Sequence, residues 1–192
     1  GNLDALRRLS LGNNRLSGPI PPALGNLNNL YWLALNNNGL VGPIPPELAD
    51  LSGITMLDLS YNALWAEGDA LANLLAADPD WTETQGAPPG DLHVTPVASG
   101  ARLAWTPIAY RTPGSYYEVG YSTRAGGPYS ALLRTASAAA TGAMLTSVLP
   151  HTTGYLAVRT YIPPTPERPF DLLSSYGQEV ILARASLPVV GR

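Results

Sequence analysis

The chain contains no cysteine, which excludes disulfides and thiolate metal sites. It contains no lysine either, so the eleven Lys-plus-Arg cations are all arginines. Charged residues make up 13% of the chain, about half the usual share. The formal net charge is −3, so there is no basic field to attract nucleic acid or an anionic membrane surface. No apolar run approaches the roughly 20 residues that a membrane span needs, which argues against membrane insertion. The N-terminus, Gly1-Asn2-Leu3, lacks the charged and apolar regions of a signal peptide. A leader removed from a secreted precursor is compatible with that.

Against those absences stand 45% hydrophobic residues, 19 Gly and 19 Pro. That is enough apolar material for a core and many turns. One phrase organises the first third of the chain: L-x-x-L-x-L-x-x-N-x-L-x-G-x-I-P-x-x-L. Its first copy is Leu6, Leu9, Leu11, Asn14, Leu16, Gly18, Ile20, Pro21, Leu24. The second is Leu30, Leu33, Leu35, Asn38, Leu40, Gly42, Ile44, Pro45, Leu48, and a third starts at Ile54, Leu57, Leu59, Asn62, Leu64. The step of 24 residues, Leu9 to Leu33 to Leu57, signals repeats that stack because none can bury its leucines alone.

Alternation in L-x-x-L-x-L turns the leucines inward on a short strand. The recurring Asn14, Asn38 and Asn62 are expected to form a ladder of side-chain bonds to neighbouring backbone. Pro22–Leu27 and Pro46–Leu51 are expected to return along the convex side as short helical turns. After Leu64 the phrase is lost. A helix is expected over Asp69–Ala77, with Asp69 as its N-cap and Pro79 as its stop. Trp65 and Trp81 are expected to close the last leucine layer. Thr82 to Pro89 reads as a linker.

The repeats resemble the leucine-rich repeat family in its 24-residue plant-type form, through Gly18-Pro19-Ile20-Pro21 and Gly42-Pro43-Ile44-Pro45. The paired cysteines and glycosylation sequons usual in plant receptors are missing, which points toward a bacterial source. The resemblance implies ligand binding on the concave face. By position that face comprises Arg8, Ser10 and Asn13, then Trp32, Ala34 and Asn37, then Met56, Asp58 and Tyr61. A Trp beside Tyr and Asn suits a peptide backbone or a sugar; the plainer reading is that these residues merely fill strand faces. Leu3, Leu6, Leu9 and Leu11 form an uncapped edge. It marks either a fragment of a longer array or a surface for self-association, which in a heterologous contact propagates as a filament.

From about residue 88 short alternating strands with turns every 10 or so residues replace the long period. Leu103-x-Trp105, Tyr117-x-Val119-x-Tyr121 and the corner Val148, Pro150, Thr152, Gly154, Val158 are similar to a fibronectin type III domain. The resemblance implies that Gly154 replaces the usual corner tyrosine, with Leu156 and Val158 inward. It makes Tyr161 to Tyr176 the F–G loop, where Pro163, Pro164, Phe170 and Leu172 either contact a partner or stiffen and pin the loop.

The expected architecture is therefore mainly β. Residues 1–87 form a short leucine-rich-repeat solenoid with a helical C-terminal cap, residues 88–185 a fibronectin type III-like β-sandwich, and residues 186–192 a tail. The two histidines, His93 and His151, form no pair with metal-ligand spacing. No G-x-S-x-G, G-x-G-x-x-G or P-loop pattern occurs. The chain reads as a non-enzymatic protein with no cofactor and no metal, extracellular or at a cell surface. It is either a bacterial-type interaction and adhesion module for a protein or carbohydrate ligand, or a structural subunit whose partners are copies of itself.

Overall fold

The computed structural model describes residues 3–97, 100–146, 154–166 and 168–182. It divides into two units: Gly1–Ala87 with Pro164–Leu173, and Pro88–Pro163 with Ser174–Arg192. The corner residues Val148, Pro150, His151 and Thr152, and the tail from residue 183, lie outside the described residues.

In the first unit, strands β1 (Arg8–Ser10), β3 (Trp32–Ala34) and β5 (Met56–Asp58) form one parallel sheet in that order. Their register is the sequence period: Leu9 pairs with Leu33, and Leu33 with Leu57. A second row runs β2 (Ser17–Gly18), β4 (Gly39–Pro43) and β6 (Ala63–Trp65). Between the rows lies one core, which includes Leu30, Leu33, Leu35, Leu48, Leu59 and Leu64. The return segments are 3-10 turns, Pro22–Asn26 and Pro46–Asp50. Each starts on a proline, whose fixed φ suits the first turn of a helix.

The asparagine ladder forms where it is enclosed. Asn62 Nδ2 donates to the carbonyls of Leu35 (3.0 Å), Leu59 (3.1 Å) and Ser60 (3.3 Å), and its Oδ1 accepts from Leu40 N (3.1 Å). Asn38 repeats this pattern on Leu11, Leu35, Asn36 and Leu16. Asn14 is exposed and bonds only within its own turn, to Leu11 O and Gly12 O.

Beyond β5 the backbone has no further repeat to bond to, and side chains take that place. In the stack, Leu35 N donates to Asp58 O and Asn37 N to Ser60 O. One repeat later the equivalent donors turn to side chains. Leu59 N donates to Asp78 Oδ2 (2.9 Å), Tyr61 N to Thr84 Oγ1 (3.2 Å) and Leu64 N to Gln85 Oε1 (2.9 Å). Gln85 also donates to Leu59 O and Trp81 O. It performs the asparagine role one residue early, with one methylene more of reach.

Three expectations about this segment are corrected. The helix is a single turn, Ala72–Leu75 (α1), and no side chain caps it. Asp69 contributes only its backbone carbonyl, to Ala72 N, because the helix starts at Ala72 and Leu71, not Asp69, stands at its N-cap. Trp81 is buried in the leucine core, whereas Trp65 is half-exposed and its Nε1 donates to Glu67. Residues 82–85, expected as linker, complete a 3-10 turn, Trp81–Thr84, and supply the bonds above.

Burial raises the Asp78 carboxyl pKa; the bond from Leu59 lowers it, and Asp58 and Asp80 push it up again, for a net rise. The ionised form is therefore penalised in the folded state, a penalty present at neutral pH and absent below the ordinary value of 3.8. Asp78→Asn keeps an acceptor for Leu59 N and removes the penalty. We expect it to stabilise the first unit by about 0.5 kcal/mol at pH 7, a gain that fades as the pH falls below about 4. Thermal unfolding at the two pH values checks this; equal gains at both would contradict it.

The second unit holds two antiparallel sheets. One is β11 (Gly142–Leu145), β8 (Gly100–Thr106) and β7 (Gly90–Val97). The other runs β10 (Ser130–Arg134), β9 (Tyr116–Ser122), β12 (Gly154–Ile162), with β14 (Glu179–Leu182) beside the start of β12. The strand β13 (Leu172–Leu173) belongs to the first unit. Leu103, Trp105, Tyr117, Val119, Leu156 and Val158 all enter the core, so strand β12 takes the register with Leu156 and Val158 inward. Trp105 packs edge-on to Tyr117 at 5.5 Å and donates to Ala140 O. A Cβ at Gly154 would lie 2.0 Å from the Tyr121 ring. That ring occupies the corner where a side chain at position 154 would stand.

Candidate interaction face

The parallel sheet turns Leu9, Leu33 and Leu57 into the core, so alternation presents their neighbours outward. Two rows result. Arg8, Trp32 and Met56 are in register, and so are Ser10, Ala34 and Asp58. Arg8 and Ser10 are exposed, Trp32 and Asp58 are half-exposed, and Met56 is 51% exposed. The Arg8 guanidinium lies over the Trp32 ring at 3.9 Å, a cation–π pair that fixes a long side chain against a rigid one. Asp58 Oδ1 accepts from both Ser60 N and Ser60 Oγ.

Two residues expected on this face are buried: Ala34 and Asn37. Asn13, Asn37 and Tyr61 each have φ near +56°, at 56°, 55° and 56°. They make the turn that follows each strand, in the left-handed region that Asn tolerates best. Asn37 Nδ2 donates to Asn13 Oδ1 at 2.8 Å. The two form a second polar ladder between turns.

Of the leucine edge, Leu3 and Leu11 are exposed while Leu6 and Leu9 pack against the core. Of the loop residues, Pro163 is half-buried in the second unit. Pro164 is exposed, Phe170 half-buried and Leu172 2% exposed in the first. Leu172 is thus a packing residue, in keeping with the alternative that it pins the loop and not with contact to a partner. Phe170 and Pro169 line, with Asn13, Asn14, Arg15 and Asn37, an open cavity of about 560 Å³ in the first unit.

No local pattern in the sequence marks Glu118. It is 2% exposed on the outer side of β9. It accepts from Arg134 Nε and Arg159 Nε, each at 2.9 Å, and from the Tyr176 hydroxyl at 3.3 Å. Arg159 lies over the Tyr176 ring and Arg134 over the Tyr116 ring, and Tyr116 stacks on Tyr161 at 4.6 Å. The alternation around Val119 placed Glu118 outward; that position is covered by side chains from residues up to 58 positions away. Among the described residues no group of three or more His, Cys, Asp or Glu could hold a metal ion. Nor is any helix there long and apolar enough to cross a membrane. His93 is exposed.

Residues 4–64 match the family model for leucine rich repeats. No curated protein matches the chain. Among solved structures, an Fn3-like protein from Clostridium thermocellum is 25% identical, with a TM-score of 0.38; the match covers 56% of this chain and 98% of that one. The BIR2 ectodomain from Arabidopsis thaliana is 49% identical over 31% of this chain and 32% of its own, with a TM-score of 0.31. The ectodomain of the Arabidopsis thaliana receptor kinase GASSHO1/SCHENGEN3, solved with CASPARIAN STRIP INTEGRITY FACTOR 2, is 41% identical, with a TM-score of 0.34. That match covers 36% of this chain and 8% of the ectodomain.

Proposed function

Residues 4–64 being leucine-rich repeats and the second unit a fibronectin type III-like sandwich, we propose that this protein is a non-catalytic interaction module. It binds a partner protein on the outward face of β1, β3 and β5, and works outside the cell. One observation carries this reading: Arg8, Trp32 and Met56 stand in register on the open side of the sheet. The fold has no use for them there, since the leucines already fill the core. Aromatic residues, Met and Arg are the types enriched in protein interfaces. A cation–π pair already in place reduces the entropy lost when a partner docks.

The two methionines make a direct test. Met56 lies on the proposed face, and Met144, also exposed, lies on β11 of the second unit. Protein grown with a photoreactive methionine analogue is mixed with the extracellular fraction of its source organism and irradiated. Mass spectrometry then locates the adducts. We expect foreign protein joined at Met56 and lost in Met56→Leu. Adducts confined to Met144 would move the binding to the sandwich. Adducts between two copies, through the Leu3–Leu11 edge, would instead make the chain a self-associating subunit.

A further inference from the structure

The outward face is ordered in charge as well as in shape. From Leu16 to Ala101 the chain has no arginine or lysine, while Glu47, Asp50, Asp58, Glu67, Asp69, Asp78, Asp80 and Glu83 all fall in that stretch. The cations of the repeats are Arg7, Arg8 and Arg15, all in the first copy. On the sheet this becomes a polarity. Arg8 stands on β1 and Asp58 on β5, with β3 between them. Asp78 and Asp80 reinforce the acidic pole, since Asp78 senses the charges of both Asp58 and Asp80.

Both poles are available. Among the described residues Arg8 has no carboxylate partner. Both hydrogen bonds to the Asp58 carboxylate go to Oδ1, so Oδ2 accepts none among the described residues. Between the poles lie the Trp32 ring, with one face covered by Arg8, and the exposed thioether of Met56. Ala34, the small buried residue between Ser10 and Asp58, keeps the floor low.

The spacing selects a partner. Neighbouring strands lie about 4.8 Å apart and Asp58 stands two residues beyond Met56, which is in register with Arg8, so the Arg8 and Asp58 positions are about 12 Å apart on a diagonal. An extended chain rises about 3.3 Å per residue and returns a side chain to the same side at every second residue, so groups four residues apart, about 13 Å, span that gap from one side. We propose that the face takes an extended segment of a partner protein. The segment sets a carboxylate against Arg8, an apolar side chain two residues on against Trp32 and Met56, and an arginine or lysine two residues further against Asp58. This rests on the reading that the repeat face binds protein, and it adds the partner's charge order and direction.

The test is selection of random dodecapeptides, displayed on phage, by the full chain. Enriched sequences are expected to share an acidic residue, an apolar residue and then a basic residue, acid and base four positions apart. For such a peptide, Arg8→Glu is expected to weaken binding about tenfold at low salt, as one exposed attraction becomes a repulsion. Replacing the peptide's acid by arginine should then restore binding to Arg8→Glu but not to the unaltered chain. That reciprocal rescue separates recognition from any effect of the substitution on folding. Enrichment that Trp32→Ser abolishes, but that shows no charge order and ignores Arg8→Glu, overturns this inference and leaves protein binding standing. No enrichment over an unrelated bait overturns both.

Discussion

Asn62→Ala is expected to lower the stability of the first unit by about 3 kcal/mol. The side chain serves Leu35 O, Leu59 O and Ser60 O through Nδ2 and Leu40 N through Oδ1. Asn62 itself is fully buried, and so are Leu35 and Leu40. Alanine leaves Leu40 N without a partner and without water, which costs roughly 1–3 kcal/mol. It also takes one of two hydrogen bonds from Leu35 O, Leu59 O and Ser60 O, which keep those from Asn38, Gln85 and Asn37 N. Asn14→Ala is the internal control. Its bonds stay within one exposed turn, so the loss should be below about 1 kcal/mol, because water replaces what is removed. Amide hydrogen exchange in β3 and β5 reads the difference locally. If the two substitutions have equal effects, the ladder is not what holds the repeats together.

Glu118→Ala is expected to lower the stability of the second unit by about 2 to 3 kcal/mol. Breaking a buried ion pair from one side usually costs more, about 3 to 5 kcal/mol. Here the orphaned cations have somewhere to go: the side chain of Arg134 is 62% exposed and that of Arg159 27%. The same group sets a pH dependence. Burial alone raises the Glu118 pKa, but the hydrogen bonds and charges of Arg159 and Arg134 outweigh it, so the net shift is downward from 4.5. A carboxylate with a depressed folded pKa contributes stability above its unfolded value and loses it as the pH falls through the folded one. The second unit should therefore weaken below about pH 4.5, and Glu118→Gln should flatten that decline. Asp78 works in the opposite sense in the first unit. Mild acid thus separates the two units: hydrogen exchange should quicken in β9 and β12 before it does in β3 and β5. An unchanged acid limb in Glu118→Gln would assign the decline to other carboxylates.

These two residues mark the boundary of what could be read in advance. Asn62 was legible because the repeat imposes its environment. A residue recurring every 24 positions among leucines sits in the same place each time, so periodicity alone puts it in the core. The same logic placed Arg8, Trp32 and Met56 together on one face. It failed at Asn37 and Ala34, where the stack is tight enough to bury positions that alternation turns outward. Gln85 was missed because it departs from the period by one residue, and its longer side chain hides the substitution. Glu118 carried no local signal at all; its partners come from three other segments of the chain.

By itself the sequence determined the repeat register, the inward leucines, the proline-led return turns and the core of the sandwich. All of these follow from short-range periodicity, which constrains a residue through its neighbours in the chain. The tertiary structure decided where the stack is closed and what covers Glu118. It also decided which of the outward positions stand open as opposite poles of one face. Those depend on which distant side chains arrive at a given point and how much water they leave there, and no spacing along the chain encodes that.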